Sequence, residues 1–554
     1  MTNSRMMLSR RKMLLKTAGA TAFAAAAGCI GNDSEGMHGR DDHGDHGEMA
    51  HEGDVTPIDR SIEGLPAIQP TEEVRLEDGD TYTLNAAVIQ HNPGIGNEIA
   101  MYAYNGQIPG PTLRVPQGAE IDIEFVNDLP YETTVHWHGL RLDLEHDGVP
   151  DMTQDPVEPG ETFEYTVKFP DEGVFWYHPH LREDLQQNLG LRGAIIVEGP
   201  REQEEVWPRE EILSLSDLKI DDDNNDVYPF WEEAANHAMM GRFGNRLLTN
   251  GTTEWTTEAD PGERVRLHLL NVANARPFQI SAEGTDQMEL IGLDGGFLPE
   301  PTAISEVLLS PSERATVDIV MPEEGAVQLM HTSPYGENEL GVIESTNTET
   351  AETPEVPMEP HERAEADLTE AFDQSDEPVD ITWELDIDMD HGMMDHDGDH
   401  SDHDDMGHGD HEDMNNEDGP APIEWEDDME MMNEMSTDEQ ITHIIRDQET
   451  GDENMDIDQT FEYGSFGRVK IVNLPDSEHP MQHPIHLHGV HFLVDTIDGE
   501  PNPHPSWRDT VHVSAGSEVV ITVPMVNPGT WLAHCHISEH LEAEMKTTFT
   551  VKNP

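Results

Sequence analysis

Cysteine is almost absent from this chain: two in 554 residues, Cys29 and Cys535. That excludes a disulfide framework, and an export signal around Cys29 leaves Cys535 alone in the folded body. Basic residues are scarce as well, 29 Lys and Arg against 115 Asp and Glu, for a net charge of −86. Phosphate binding needs basic patches, so the composition argues against a nucleic-acid partner. The acidic residues run through the whole chain, not only its tails. Such a surface suits high salt, where screening weakens self-repulsion. An acidic disordered chain would share the composition, but strand-like apolar runs recur throughout. The length allows about three domains.

The amino terminus reads as an export signal. Ser9-Arg10-Arg11-Lys12-Met13-Leu14-Leu15-Lys16 matches a twin-arginine motif, and an alanine-rich run follows to Ala27, too short to span a bilayer. That route carries folded proteins, which suits a chain loaded with metal before transit. Ala26-Ala27-Gly28-Cys29 resembles a lipobox, with Ala26 where an aliphatic residue usually stands. Residues 1–29 are thus expected to be a signal with Cys29 as a lipid anchor, or to be cleaved nearby with release of the protein. Either outcome places it at the cell surface or outside the cell. Residues 30–65 form an acidic, His-rich tail. The overall composition resembles that of haloarchaeal proteins.

What the chain does have is histidine in blocks. His534-Cys535-His536-Ile537-Ser538-Glu539-His540-Leu541-Glu542-Ala543-Glu544-Met545 holds a thiolate, a following imidazole and a thioether. Those are the ligands of a trigonal His/Cys copper site with a weak axial Met. On a strand, Cys535 faces one way and His534 and His536 the other, so one peptide would join two metal centres. Three more blocks are His136-Trp137-His138-Gly139, His178-Pro179-His180 and His483-Pro484-Ile485-His486-Leu487-His488-Gly489. One His-x-His pair is commonly an accident of surface or core; ten histidines in four compact blocks are not.

The chain also repeats itself. The run 116–127 has counterparts at 261–271 and 466–473, each a Gly-led turn and alternating apolar residues that end on Asn127, Asn271 and Asn473. A second element recurs at 159–167, 311–320 and 515–523. Short alternating strands with Gly/Pro turns indicate β-sandwiches. The middle copy lacks the histidines. Gly325-Ala326-Val327-Gln328-Leu329-Met330-His331 stands where the outer copies carry His178 and His534, and Arg276-Pro277-Phe278-Gln279-Ile280 replaces the other block.

These four motifs resemble those of the multicopper oxidases, over roughly residues 66 to 554. The resemblance implies an all-β chain of three consecutive cupredoxin-like Greek-key β-sandwich domains. They would span 66–199, 200–350 (metal-free) and 376–554, with a linker at 351–375. It implies four copper ions: type 1 copper on His483, Cys535, His540 and Met545; type 2 on His136 and His486; one type 3 on His138, His178 and His536; the other on His180, His488 and His534. Type 1 copper accepts single electrons, an exposed imidazole edge of His483 or His540 being a plausible entry point, and dioxygen is reduced to water at the three-copper cluster. Asp147 occupies the position of a cluster-side acid that supplies protons, although an Asp before Gly is also a common turn. Relatives often carry Glu directly after the last type 1 histidine. Leu541 stands there, so Glu542, Glu539 and Asp147 remain the options.

Residues 389–435 hold nine Met and six His among Asp and Gly. Thioethers favour cuprous ion and imidazoles cupric ion, and copper-efflux oxidases carry a comparable insert. The substrate is therefore expected to be cuprous ion, a phenol as in laccases, or both, in a copper-homeostasis role. The bland reading of the insert is an acidic linker. A copper-sequestering surface protein without turnover is the alternative function, and it would need no three-copper cluster. Glu478 and His479 could line substrate access or be plain loop. Asn32-Asp33-Ser34 and Asn250-Gly251-Thr252 match glycosylation sequons, most simply by chance.

Overall fold

The computed structural model describes residues 61–199, 209–221, 223–231, 234–346, 368–369, 371–372, 374, 377–389 and 422–554. The signal, Cys29, the tail to residue 60 and residues 390–421 of the insert lie outside them. The alternation read from the sequence becomes strands with one face inward. In Glu120–Asp128, for example, Ile121, Ile123 and Phe125 are buried, while Glu120, Asp122 and Glu124 are exposed.

Three β-sandwiches follow one another, as expected. The first packs the sheet containing Thr81–His91 and Glu120–Asp128 against the sheet containing Gly173–His178 and Gly193–Glu198. The second and third repeat this plan around Leu267, Val317 and Phe278, and around Ile471, Ile521 and Trp531. Each repeat Asn lies at or one residue before the end of its strand, in the core, and clamps two carbonyls. Asn127 Nδ2 donates to Tyr131 and Val157, Asn271 to Arg276 and Leu309, and Asn473 to Met481 and Val513.

The middle sandwich is more than a spacer. Leu218, Ile220, Val227 and Phe230 join the core of the first sandwich, while Ala238, Met239, Met240 and Phe243 join that of the third. The insert is the loop of a hairpin: Ile381–Met389 pairs with Ile441–Asp447, Met389 opposite Ile441. The expected range 389–435 needs correction, because Met389 is a strand residue and 422–435 is built into the body. Arg276 donates to the Trp425 carbonyl and to both Glu426 oxygens, all at 2.9 Å. Asn433, in the short helix Glu430–Met435, exchanges hydrogen bonds with Met240 and Gly241. The Asn250 sequon agrees with a chance match: its amide donates to the Ile212 carbonyl and accepts from Ser214 N–H.

Replacing Asn473 by Leu leaves two buried carbonyls without a donor, which costs about 2–4 kcal/mol. Chemical denaturation should show that loss; a loss under about 1 kcal/mol would mean that the carbonyls find other donors.

Candidate metal centre

Strand register assembles the histidine blocks. His136–His138 pairs with Gly173–His178, setting His136 opposite His178, and His483–Leu487 pairs with Gly529–Cys535, setting His486 opposite His534. The eight imidazoles 136, 138, 178, 180, 486, 488, 534 and 536 meet between the first and third sandwiches, and all are buried. Ring nitrogens of His180, His488 and His534 fall within 4.8 Å of one another, as do those of His136, His486 and His488, and those of His136, His138 and His178. His536 lies with its ring centroid 5.0 Å from His138 and 5.2 Å from His178. Trp176 stacks on His178 and closes that side.

Outer hydrogen bonds decide which nitrogen faces inward. Nδ1 of His136, His178, His486 and His534 lies 2.7–2.9 Å from the carbonyl oxygens of Asp147, Pro179, Asp509 and Cys535. A carbonyl only accepts, so each Nδ1 carries the hydrogen and each Nε2 presents a lone pair. His488 Nδ1 does the same to Asp147 Oδ2 at 2.9 Å. His138 is reversed: Nε2 lies 3.0 Å from Asp509 Oδ1, leaving Nδ1. The inward nitrogens of His136, His138, His178, His180 and His486 have no partner, nor has either nitrogen of His536. Nε2 of His488 and of His534 lie 3.0 Å apart, lone pair against lone pair. Burial, then neighbouring imidazoles, holds His138, His178, His180, His486 and His534 well below the usual imidazole range. Neutral, convergent and unpaired, this donor set fits cations.

The second site lies behind the same strand. His483 Nδ1, His540 Nδ1 and Cys535 Sγ form a triangle with edges of 3.3, 3.6 and 3.7 Å. Met545 is buried in the same cluster and its backbone bonds both Cys535 and His540. Burial pushes the Cys535 thiol well up, whereas a coordinating cation deprotonates a thiol outright. The expected exposed imidazole edge is corrected: His540 is fully buried and His483 is 4% exposed. His443, which no motif pointed to, covers His540, with ring centroids 3.7 Å apart and 23° between planes, and donates Nε2–H to the Ala238 carbonyl.

Asp147 is fully buried between Nδ1 of His488 and Nδ1 of His136, 2.9 and 3.4 Å away. Burial alone raises its carboxyl, but those imidazoles hold it well below the usual range. Its Asp-Gly turn is obligatory: Gly148 has φ +82°, and a Cβ there would lie 1.9 Å from the Val135 carbonyl oxygen. Glu539 accepts from Asn274 and is pushed up to about 8 by burial; Glu542 is pushed up to about 7. Sequence reasoning missed Glu183, whose Oε1 stands 3.4 Å from His180 Nδ1, and Asp509. Single acidic residues between blocks carry no spacing signal.

Three family models, each described as multicopper oxidase, match residues 85–202, 212–351 and 423–554. The chain belongs to the multicopper oxidase family. A multicopper oxidase of Staphylococcus epidermidis is 25% identical over 81% of this chain and 83% of its own. Laccase-2 of Cryptococcus neoformans is 25% identical over 85% and 84%. The crystal structure of a multicopper oxidase from Pseudomonas thermotolerans superposes with a TM-score of 0.61 at 26% identity, covering 87% of this chain and all of that one. This multicopper oxidase is a copper-dependent oxidoreductase that uses dioxygen as acceptor. Replacing Asp147 by Asn should weaken copper retention in the eight-histidine cluster about 10- to 100-fold, with the Cys535 site unaffected, as read by chelator competition. Equal retention would remove Asp147 from the support of the cluster.

Proposed function

We propose that the chain holds four copper ions and couples one-electron oxidation of cuprous ion, phenols or both to the reduction of dioxygen. The observation that carries this is the inward ring of unpaired imidazole lone pairs beside a separate His2Cys triangle. The ligand sets are those expected above: His483, Cys535, His540 and Met545; His136 and His486; His138, His178 and His536; His180, His488 and His534. When bound, copper supplies one-electron acceptance at the first set and four-electron reduction of dioxygen to water at the other three.

The protein's part is to hold and orient. Cys535 passes its backbone directly to His534 and His536, the shortest covalent link between the two sites. Asp147 fixes Nδ1–H of His488 and so aims its Nε2 inward. Proton supply falls to the buried carboxylates Asp147 and Glu539 and the half-buried Glu542, with Glu183 beside His180, since Leu541 cannot donate.

The place of the insert supports cuprous ion. Its described end, 422–435, runs beside the type 1 strand: Glu424 and Gln482 bond each other at 2.7 and 3.1 Å, next to His483. Met431, Met432 and Met435 are exposed there, with Glu424, Glu426, Asp427 and Asp428 nearby in the chain. A copper-sequestering protein would not need eight convergent lone pairs. Export by the twin-arginine route, with Cys29 as a lipid anchor, completes the proposal. A full chain found at the membrane and released by Cys29→Ala is the expected result, and its release without that change would remove the anchor.

Oxygen uptake on cuprous ion and on a phenol tests the reading. Cys535→Ser should abolish blue absorption and turnover on both while cluster copper stays. Removing 390–421, which leaves the strap at 422–435 intact, should lower turnover on cuprous ion and spare the phenol. A Cys535→Ser protein with normal oxygen uptake sinks the wiring, and equal effects of the deletion on both substrates sink the recruitment role.

A further inference from the structure

The middle sandwich lacks the histidine pairs, yet one of its turns reaches the eight-histidine cluster. The turn 310–314 leads into strand Arg314–Val320, and register fixes its counterparts in the other repeats. Arg314 pairs with Leu270, Thr162 with Val126 and Glu518 with Val472, each partner just before a repeat Asn. Arg314 therefore stands where the outer copies have Thr162 and Glu518, and Ser312 where they have Gly160 and Gly516. Gly160, Glu161 and Thr162 are exposed, and Gly516 is exposed; residues 310–314 are all buried.

Ser312 keeps the left-handed backbone of those glycines, φ +72° against +81° and +75°. A non-Gly residue there is strained, and such strain persists only when the surroundings hold it. What holds it is the third sandwich. Ser310 Oγ meets His512 Nδ1 at 2.6 Å, Ser312 Oγ meets Thr510 Oγ1 at 3.0 Å, and Glu313 accepts from Arg508 at 2.5 Å. Arg314 makes a two-point pair with Asp509, Nη1 to Oδ1 and Nη2 to Oδ2, both 2.6 Å. Its Nε and Nη2 also donate to the Val174 carbonyl, on the strand that ends at His178. Asp509 in turn faces His138 Nε2, and Thr510 Oγ1 lies 3.4 Å from that atom and 3.3 Å from His486 Nδ1. There is no slack beside them: a Cβ on Gly139 would lie 2.5 Å from Asp509 Oδ2 and 3.0 Å from Arg314 Nη2.

We propose that Arg314 and Ser312, supplied by the middle sandwich, are positioning residues of the copper cluster. Arg314 locks the Asp509 carboxylate, and that carboxylate decides that His138 turns Nδ1 rather than Nε2 inward. Ser312 steadies Thr510 against the same two imidazoles. A planar two-point Arg–carboxylate pair fixes orientation as well as charge. Without it, Asp509 is a buried charge that must find another partner, and His138 loses the acceptor that sets its tautomer.

The inference rests on the copper assignment above, and one experiment separates the two. Full-length wild type, Arg314→Gln, Arg314→Lys and Ser312→Gly would be loaded with copper. Copper per chain, chelator competition, the near-ultraviolet absorption of the type 3 pair and the blue absorption would be measured, with unfolding midpoints beside them. Arg314→Gln should weaken retention of cluster copper about 10- to 100-fold and lose the type 3 absorption while the blue band persists. Arg314→Lys should recover part of both. Ser312→Gly relieves the strained φ, so its midpoint should hold or rise while the type 3 absorption still falls. Wild-type retention and spectra in both Arg314→Gln and Ser312→Gly would overturn the inference, as would loss of blue and cluster copper together in step with unfolding. Should Arg314→Gln fail to fold, an unchanged type 3 spectrum in Ser312→Gly overturns it alone. Wild type that takes up no cluster copper would instead overturn the copper reading itself.

Discussion

Convergent lone pairs are the constraint around which this protein is built. Eight buried imidazoles from two sandwiches point unprotonated nitrogens at one another, and His488 and His534 do so at 3.0 Å. In water such nitrogens would find donors. Here burial removes water, and the carbonyls of Asp147, Pro179, Asp509 and Cys535 hold the other nitrogens in the donor role. The arrangement is repulsive until a cation enters, so metal binding and stability are linked. Every wall of the site must therefore be held by something other than the site: the strand register of each half, and the contacts that press the halves together.

The middle sandwich supplies much of that pressure. It gives Leu218 and Phe230 to one core and Met240 and Phe243 to the other, and its arginines make the charged contacts. Arg242, Arg276 and Arg314 are among the largest fully buried side chains, in a chain with only 29 basic residues. Arg276 joins Asp217 to Glu426, and Arg314 joins Asp294 to Asp509. Spending guanidinium groups inside leaves the acidic excess on the surface. Breaking such a buried pair leaves an uncompensated charge, a far larger loss than any exposed pair could give.

How much of this could be read beforehand follows from which signals are local. A strand that buries one face must alternate, so the sandwiches and their threefold repeat were visible in runs such as 116–127. His-x-His puts two rings on one face of a strand, so the four blocks were visible too. The repeat Asn was visible as a residue, but its purpose was not, since its partner carbonyls lie 4 to 40 residues away. Asp509, Arg314, His443 and Glu183 were not visible at all. Each is a single polar residue whose meaning comes from a partner far off in the chain, such as Arg314 with Asp509, 195 residues apart. The insert was over-extended for a related reason. Its Met-rich composition continues smoothly through 429–435, whereas Gln482 and Arg276 hold the chain at Glu424–Glu426.

That capture bears on how an electron can reach Cys535. His540 is sealed by the stacked ring of His443 and by the Ala238–Met240 run, and Cys535 and Met545 are fully buried. Of the four proposed type 1 ligands only His483 keeps any surface, 4%. Its neighbour Gln482 is bonded through both ends of its amide to Glu424, the first acidic residue of the strap. The one ligand that keeps any surface and the strap at Glu424 are thus set side by side by a single residue.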